Sequence, residues 1–412
     1  MRDREAATEP TYIAIKERAR AVDPNKSPTP TDSLDVWDVG DDIDPIEPRA
    51  WLLGSTFCRG FVSSLVGGGG AGKTAVRVAQ ALSLATGFAL TGEHVFARSR
   101  VLIISLEDDR NELRRRIRAA MRHHKITDSE VSGYLFCAAA GNKGWKLATM
   151  ENGKVVASTL APRIVDQIKK HSIDAVIIDP FVKSHSVEEN ANGAIDFVTN
   201  ILASIAIDHN CAVDAPHHIS KGAADAGNAD RARGGSAFKD AARLVYTLTP
   251  MSEDEAKAFG LTEVYRHALI RMDSAKVNIA PRAGIAKWFR IVSVNIGNGT
   301  ELYPRGDEVQ TVEPWSPPDT WSGLSNLTLN AALSEIDEGL PDGQRYSDAG
   351  AAKALAAWRV VQKHAEDKSE PQCREIIKTW VKNGVLEARK YHNPARREPG
   401  MGLYLNHEKR PS

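Results

Sequence analysis

Phe61–Thr74 reads Phe-Val-Ser-Ser-Leu-Val-Gly-Gly-Gly-Gly-Ala-Gly-Lys-Thr, an apolar run that opens into a glycine-rich loop closing on Lys-Thr. The stretch satisfies G-x-x-x-x-G-K-[ST], and Lys73–Ala85 behind it has the apolar spacing of a helix. Strand, loop and helix in that order carry a specific chemistry. Glycines let successive backbone N–H groups turn toward a phosphate, and the helix start adds partial positive charge. Gly67, Gly70, Ala71, Gly72, Lys73 and Thr74 are therefore the candidate ATP-binding residues. Lys73 reaches the β- and γ-phosphates, and the Thr74 hydroxyl is a ligand for Mg²⁺.

Short apolar runs alternate with helical stretches on either side of this loop, the order of a mainly parallel sheet covered by helices. Strands are expected at Phe61–Val66, Val101–Ser105, Tyr134–Ala138, Ala175–Asp179, Cys211–Pro216, Leu244–Leu248, Ala268–Met272 and Trp288–Val294. Helices fit Lys73–Ala85, Asp109–His123, Leu160–His171 and Ala191–His209. The later strands follow one another with little helix between them, which predicts an antiparallel extension at one edge. The fold class is thus α/β.

Two strand ends carry carboxylates at the edge where the phosphate loop lies. Asp179 ends Ile173–Asp179 and is the expected Mg²⁺ partner of Thr74. Val101–Asp109 ends in Glu-Asp-Asp, and Glu107 is the candidate catalytic base for activating water. Asp108 and Asp109 have an ordinary alternative role as cap and first-turn acids of the next helix.

The motifs taken together resemble a known family. The loop Gly67–Thr74, Ser-Leu-Glu-Asp-Asp at 105–109, Ile-Ile-Asp-Pro at 177–180, Asp214–Lys221 (Asp-Ala-Pro-His-His-Ile-Ser-Lys) and Arg233–Arg243 (Arg-Gly-Gly-Ser-Ala-Phe-Lys-Asp-Ala-Ala-Arg) look, in this order, like the RecA-like ATPases of the plasmid RepA replicative-helicase type. The similarity covers roughly residues 50–300. It implies a ring-forming, hexameric P-loop ATPase using ATP and Mg²⁺, with ATP between subunits. It also implies Glu107 as the catalytic carboxylate, Asp179 on Mg²⁺, His218 as a sensor linking γ-phosphate to DNA loops, and Arg243 as an arginine finger offered to the neighbouring subunit. Lys276, in Ala275-Lys-Val-Asn278, resembles the family's late-strand segment that touches the γ-phosphate. From the residues alone, Arg243 starts an apolar strand and needs a partner. A phosphate across an interface and a local carboxylate such as Asp240 would each satisfy it.

The resemblance also implies that the loops after the Asp179 strand and after the next strand face a ring axis and grip single-stranded DNA. Lys183 lies in the first loop, and Lys221, Arg231 and Arg233 in the second. A few such cations would bind backbone phosphates without reading sequence. An ordinary surface loop remains the plain alternative.

Charge is balanced overall, 53 basic against 53 acidic residues, but segregated along the chain. From Asp32 to Glu47 there are seven acidic residues and no basic one. With its prolines, residues 1–48 read as an acidic, mostly disordered arm that could recruit a protein partner. The ATPase domain is expected over 49–305 and a Pro-rich linker over 306–324. Beyond the linker, Asn326–Glu338, Asp348–His364 and Pro371–Asn383 read as helices, followed by Val385–Tyr391 and Gly402–Asn406 as a hairpin. This is the order of a winged helix, over 325–412. Arg374, Lys378 and Lys382 recur on one helix face, and Arg389 and Lys390 lie on the hairpin. These five are candidate DNA contacts, a protein-docking face being the alternative.

No apolar run approaches the roughly 18 residues that span a bilayer, so a cytosolic protein with no membrane partner is expected. Cys58, Cys137, Cys211 and Cys373 are widely spaced and read as small buried residues. The functional expectation is an ATP-hydrolysing DNA motor, a replicative helicase of a plasmid, phage or other mobile element. The alternatives are an ATP-controlled DNA-binding switch or loader without helicase activity, and a scaffold or signalling ATPase.

Overall fold

The computed structural model of the protein describes residues 36–188, 191–218, 238, 242–280, 285–321, 323–349 and 353–410. The chain divides into two compact units. The larger holds residues up to 249 and 270–315, and the smaller holds 250–269 and 316 onward.

The larger unit is built on a ten-stranded sheet. Its parallel part comprises β3 (Val62–Gly67), β4 (Val101–Ser105), β5 (Leu135–Ala139), β8 (Ala175–Asp179), β9 (Ala212–Asp214), β10 (His217–His218) and β11 (Leu244–Pro250). A small hairpin, β1 (Trp51–Leu53) with β2 (Phe57–Cys58), precedes it, and another, β6 (Ala148–Glu151) with β7 (Lys154–Ala157), lies off the sheet. The sheet continues through β12 (Leu269–Val277), β13 (Lys287–Asn295) and β14 (Glu308–Trp315), giving the order β14-β13-β12-β11-β3-β9-β8-β4-β5. The last three strands form the expected antiparallel extension: β13 and β14 pair antiparallel, and β12 returns along β11 with Asn278 N bonded to Arg243 O.

Strand alternation builds two cores, one on each face of the sheet. Leu102, Ile104, Val176 and Ile178 point to one face, against α3 (Leu160–His171) and α4 (Asn192–Asp208). Val101, Ile103, Ala175 and Ile177 point to the other, against α1 (Lys73–Thr86) and α2 (Arg110–His123). The apolar runs read from sequence are continuous because both faces are covered.

Four expectations change. The Pro-rich linker expected from residue 306 starts later, since Glu308–Trp315 is a full strand of the sheet. Pro314 is tolerated there because β14 is an edge strand, where a missing N–H interrupts no inner ladder. The expected strand Cys211–Pro216 is split into β9 and β10, both paired with β3, around Pro216. Helix is confined to Trp358–His364 within the expected Asp348–His364, with a single 3₁₀ turn at Lys353–Leu355 before it. Cys58, Cys211 and Cys373 are buried, but Cys137 is exposed, because β5 is the opposite edge strand.

The smaller unit contains α5 (Asn326–Glu338), α6 (Trp358–His364), α7 (Glu370–Lys382) and the antiparallel hairpin β15 (Leu386–Asn393) with β16 (Glu398–Leu405). Leu333, Ile336, Val361, Ile376, Trp380 and Leu403 form its own core. Among the described residues, no helix is long and apolar enough to cross a membrane.

Candidate functional site

β3 delivers the glycine loop to the carboxyl edge of the sheet, and the loop can form only with glycines at its tight points. A Cβ on Gly67 would lie 2.8 Å from the Leu248 carbonyl oxygen of β11. Gly70 and Gly72 have φ of 74° and 91°, the left-handed region that side chains disfavour. Gly72 then directly precedes α1, whose first residues are Lys73 and Thr74. Ala71 is the one non-glycine between them, and it is buried.

Four strands converge on this loop. Lys73 Nζ donates to the carbonyl oxygens of Gly67 and Gly68, both at 2.8 Å. Thr74 Oγ1 donates to Asp179 Oδ2 at 2.6 Å, joining the helix start to the end of β8. β10 brings His218 level with Gly67, and its Nδ1 lies 3.2 Å from Lys73 Nζ. An ammonium only donates, so this contact needs an unprotonated Nδ1. Glu107 follows β4, whose Ser105 is level with Asp179, and it stays exposed at the rim.

Electrostatics mark the same cluster. Burial pushes the Asp179 carboxyl up to about 6 against the pull of Thr74 and Lys73. Burial also brings Lys73 down to about 8, while Asp179 and Glu107 act in the opposite sense. Opposing charges held out of water this way mark functional sites. A hydroxyl and a carboxylate oxygen meeting beside the phosphate loop suit a hard, oxygen-seeking cation such as Mg²⁺.

The other residues singled out in the sequence fall into distinct places. Asp109 caps α2, accepting from Glu112 N at 2.8 Å, and Asp108 pairs with Arg116 at 2.9 Å. Their structural role leaves Glu107 as the free rim carboxylate of the three. Arg243 lies exposed at the start of β11, its N bonded to Val62 O, at the opposite end of β3 from the loop. At about 3.3 Å per residue, that is about 16 Å from Gly67 along the strand. Lys276 sits two residues from Asn278, the partner of Arg243, and so lies toward the same far end. Lys276 thus stands away from the glycine loop of its own chain, because β12 runs antiparallel to β11.

Lys183 is exposed in the turn after β8, where its carbonyl accepts from Lys146 Nζ at 2.6 Å. Lys221, Arg231 and Arg233 lie outside the described residues. In the smaller unit, Arg374 pairs with Glu370 at 2.7 Å and Arg389 with Glu387 at 2.8 Å. Lys378, Lys382 and Lys390 are exposed.

A family profile described as an AAA domain matches residues 27–224, a span that contains the phosphate loop, Glu107, Asp179 and His218. In the sheet order, β9 is inserted between the loop strand β3 and the Asp179 strand β8. With the glycine loop after β3, this is an α/β P-loop fold. Among similar solved structures, a KaiC-like protein of the hyperthermophilic archaeon Pyrococcus horikoshii OT3 is 13% identical, covering 63% of this chain and 91% of its own with a TM-score of 0.37. The RadB recombinase is also 13% identical, with 57% and 89% covered and a TM-score of 0.37.

Behind the loop edge of this sheet lies a buried polar network that the sequence did not single out. Arg77, four residues beyond Lys73, donates to both oxygens of Asp214 on β9, at 2.8 and 2.5 Å. Both side chains are essentially excluded from solvent, with exposures of 1% and 0%. Ser63 of β3 adds a 2.7 Å bond to Asp214, and Arg77 reaches Gln80 at 2.6 Å. Gln80 passes the chain on to Glu93, which is also held by Thr56 and Lys287. The network ties α1 to β9, three residues before the histidine pair. Its signal in the sequence is an arginine and a glutamine, three apart, on the inward face of an otherwise apolar helix.

Proposed function

We propose that the protein is an ATP hydrolase that assembles with itself and works on DNA as a motor, with strand separation as its use. The convergence of Lys73, Thr74, Asp179, Glu107 and His218 on one loop carries the reading. Lys73 would balance the β- and γ-phosphate charge, while Thr74 and Asp179 would hold Mg²⁺. The metal supplies charge neutralisation of the phosphate oxygens. Glu107 takes the proton from an attacking water, which its exposed rim position allows. His218 exchanges its contact with Lys73 for one with the γ-phosphate, so nucleotide state is felt by the segment that follows it.

Arg243 and Lys276 lie too far from their own loop to act there, which favours a role at the nucleotide of an adjacent copy. That reading requires assembly, a ring being the closed form it takes. Lys183, with Lys221, Arg231 and Arg233, would face DNA phosphates in the centre. The three helices and hairpin of the smaller unit are proposed to be a winged helix, with Arg374, Lys378, Lys382, Arg389 and Lys390 turned to DNA.

The test is the ATPase rate with and without single-stranded DNA, alongside displacement from a forked duplex. Stimulated hydrolysis with strand displacement is expected. Glu107→Gln should keep nucleotide binding and lower turnover by about 10²–10⁴, the usual contribution of a general base; unchanged turnover would remove Glu107 from this role. The basic face of α7 and its hairpin favours a second reading, an ATP-controlled DNA-binding switch. A site-specific footprint that disappears in the Lys378→Glu/Lys382→Glu chain, with no unwinding by the parent, would select it.

A further inference from the structure

Helix α2 presents a row of arginines at every fourth position, Arg110, Arg114, Arg118 and Arg122, all exposed. Like charges at this spacing repel one another and weaken a helix unless something anionic lies over them. Their neighbours on the helix are already satisfied: Arg115 pairs with Asp307 and Arg116 with Asp108. Of the row itself, Arg118 meets Asp128, and among the described residues Arg110, Arg114 and Arg122 meet no carboxylate. The row lies between two surface cavities of about 510 and 570 Å³. Met121, Ile126 and Ile296 supply apolar walls to the first, and Leu113, Ile117 and Leu135 to the second. The surface is thus basic at its crest and apolar at its base.

The chain carries a segment of the matching kind. Residues 36–47, Val-Trp-Asp-Val-Gly-Asp-Asp-Ile-Asp-Pro-Ile-Glu, interleave acidic with apolar side chains and contain no cation. Every residue of this stretch is exposed, including Trp37 at 67%, Ile43 at 88% and Ile46 at 92%. In its own chain the segment therefore buries none of its large apolar groups. After a turn in which Asp41 N bonds to Asp38 O, the acidic run Asp41–Glu47 spans at most about 22 Å when extended. The arginine row spans about 18 Å along the helix axis. Length, charge and apolar content agree.

We infer that residues 36–47 of one copy dock on the arginine face of α2 of a neighbouring copy, as a strap between subunits. The inference rests on the self-assembly proposed above and names a contact that holds it together. A nucleic-acid backbone would also answer the arginines. It would leave both the apolar base of the groove and the exposed Trp37, Ile43 and Ile46 without purpose, so the arm is the better occupant.

The experiment is sedimentation of the full chain with an ATP analogue, comparing the parent with Arg114→Glu/Arg122→Glu and with Asp41→Lys/Asp42→Lys/Asp44→Lys. Each variant alone should need about tenfold or more higher concentration to assemble, the scale of one or two lost charge-assisted contacts. Mixing the two should restore assembly, since the reversed charges complement each other. Retained nucleotide binding in each variant excludes misfolding. Parent-like assembly of either variant alone, or no recovery on mixing, overturns the strap. Unchanged assembly with lost single-stranded DNA binding by the arginine variant also overturns it, and assigns the face to nucleic acid. A parent that stays monomeric at every concentration would instead sink the self-assembly reading itself.

Discussion

Asp214 and Arg77 sit at the centre of the larger unit, and their energetics follow from their burial. Two charges taken out of water are tolerable only as a pair with their remaining bonds filled, which Ser63 and Gln80 supply. Asp214→Ala should lower stability by about 3–5 kcal/mol, because it strands a buried guanidinium. Urea unfolding measures this, and Arg77→Met/Asp214→Leu should recover most of the loss; a mild effect of the single change would mean that water reaches Arg77. His185 behaves differently. It is buried against Phe181, with its ring beside the Val187 backbone. Burial brings it down to about 4 from 6.5. The folded state therefore holds fewer protons than the unfolded one between these values, so its contribution is full above about 6.5 and is lost as pH falls toward 4. At pH 5 the loss is on the order of 2 kcal/mol. His185→Leu should flatten that part of the stability curve, and an unaltered pH 5 to pH 7 difference would place the titration elsewhere.

At the scale of elements, the phosphate loop and its helix were legible because their requirements are local. Glycines at Gly70 and Gly72 answer a backbone demand, and Lys73 and Thr74 follow at fixed spacing. β14 was hidden, since Pro314 and Pro317 punctuate the sequence as a linker would. Edge position excuses one proline, but a strand's place in a sheet depends on partners far along the chain. A chain ending at Trp315 should accordingly keep the larger unit folded. One ending at Arg305 should uncover β13, whose Phe289 packs with Val312, and should aggregate or melt at lower temperature. Equal thermal midpoints for the two truncations would show that β14 contributes little. The helix expected over Asp348–His364 failed for a related reason. Alanine-rich stretches favour helix by propensity, yet Ser347 bridges to Ala356 in extended pairing.

For the whole molecule, the placement of Arg243 matters most. It stands at the far end of the strand beside β3, so any catalytic use needs a second copy. Arg243→Ala should lose about 10³-fold or more in hydrolysis, the scale of an arginine finger. Mixing it with Lys73→Ala should restore part of that rate, since each chain then provides what the other lacks. No recovery in a mixture that coassembles would confine Arg243 to a structural role.

The sequence by itself determined the glycine loop with Lys73 and Thr74 at its close, the carboxylates that end the strands, and the mainly parallel sheet. These follow from spacing of a few residues, where backbone geometry leaves little choice. It also marked His218, although only as a resemblance. Tertiary structure decided what depends on distant pairing. It brought His218 within reach of Lys73, joined Arg77 to Asp214 across 137 residues, and added β14 to the sheet. It also carried Arg243 and Lys276 away from their own site. The physical reason is that short-range motifs are fixed by local conformation, whereas strand order and buried ion pairs are chosen by the burial of the whole core.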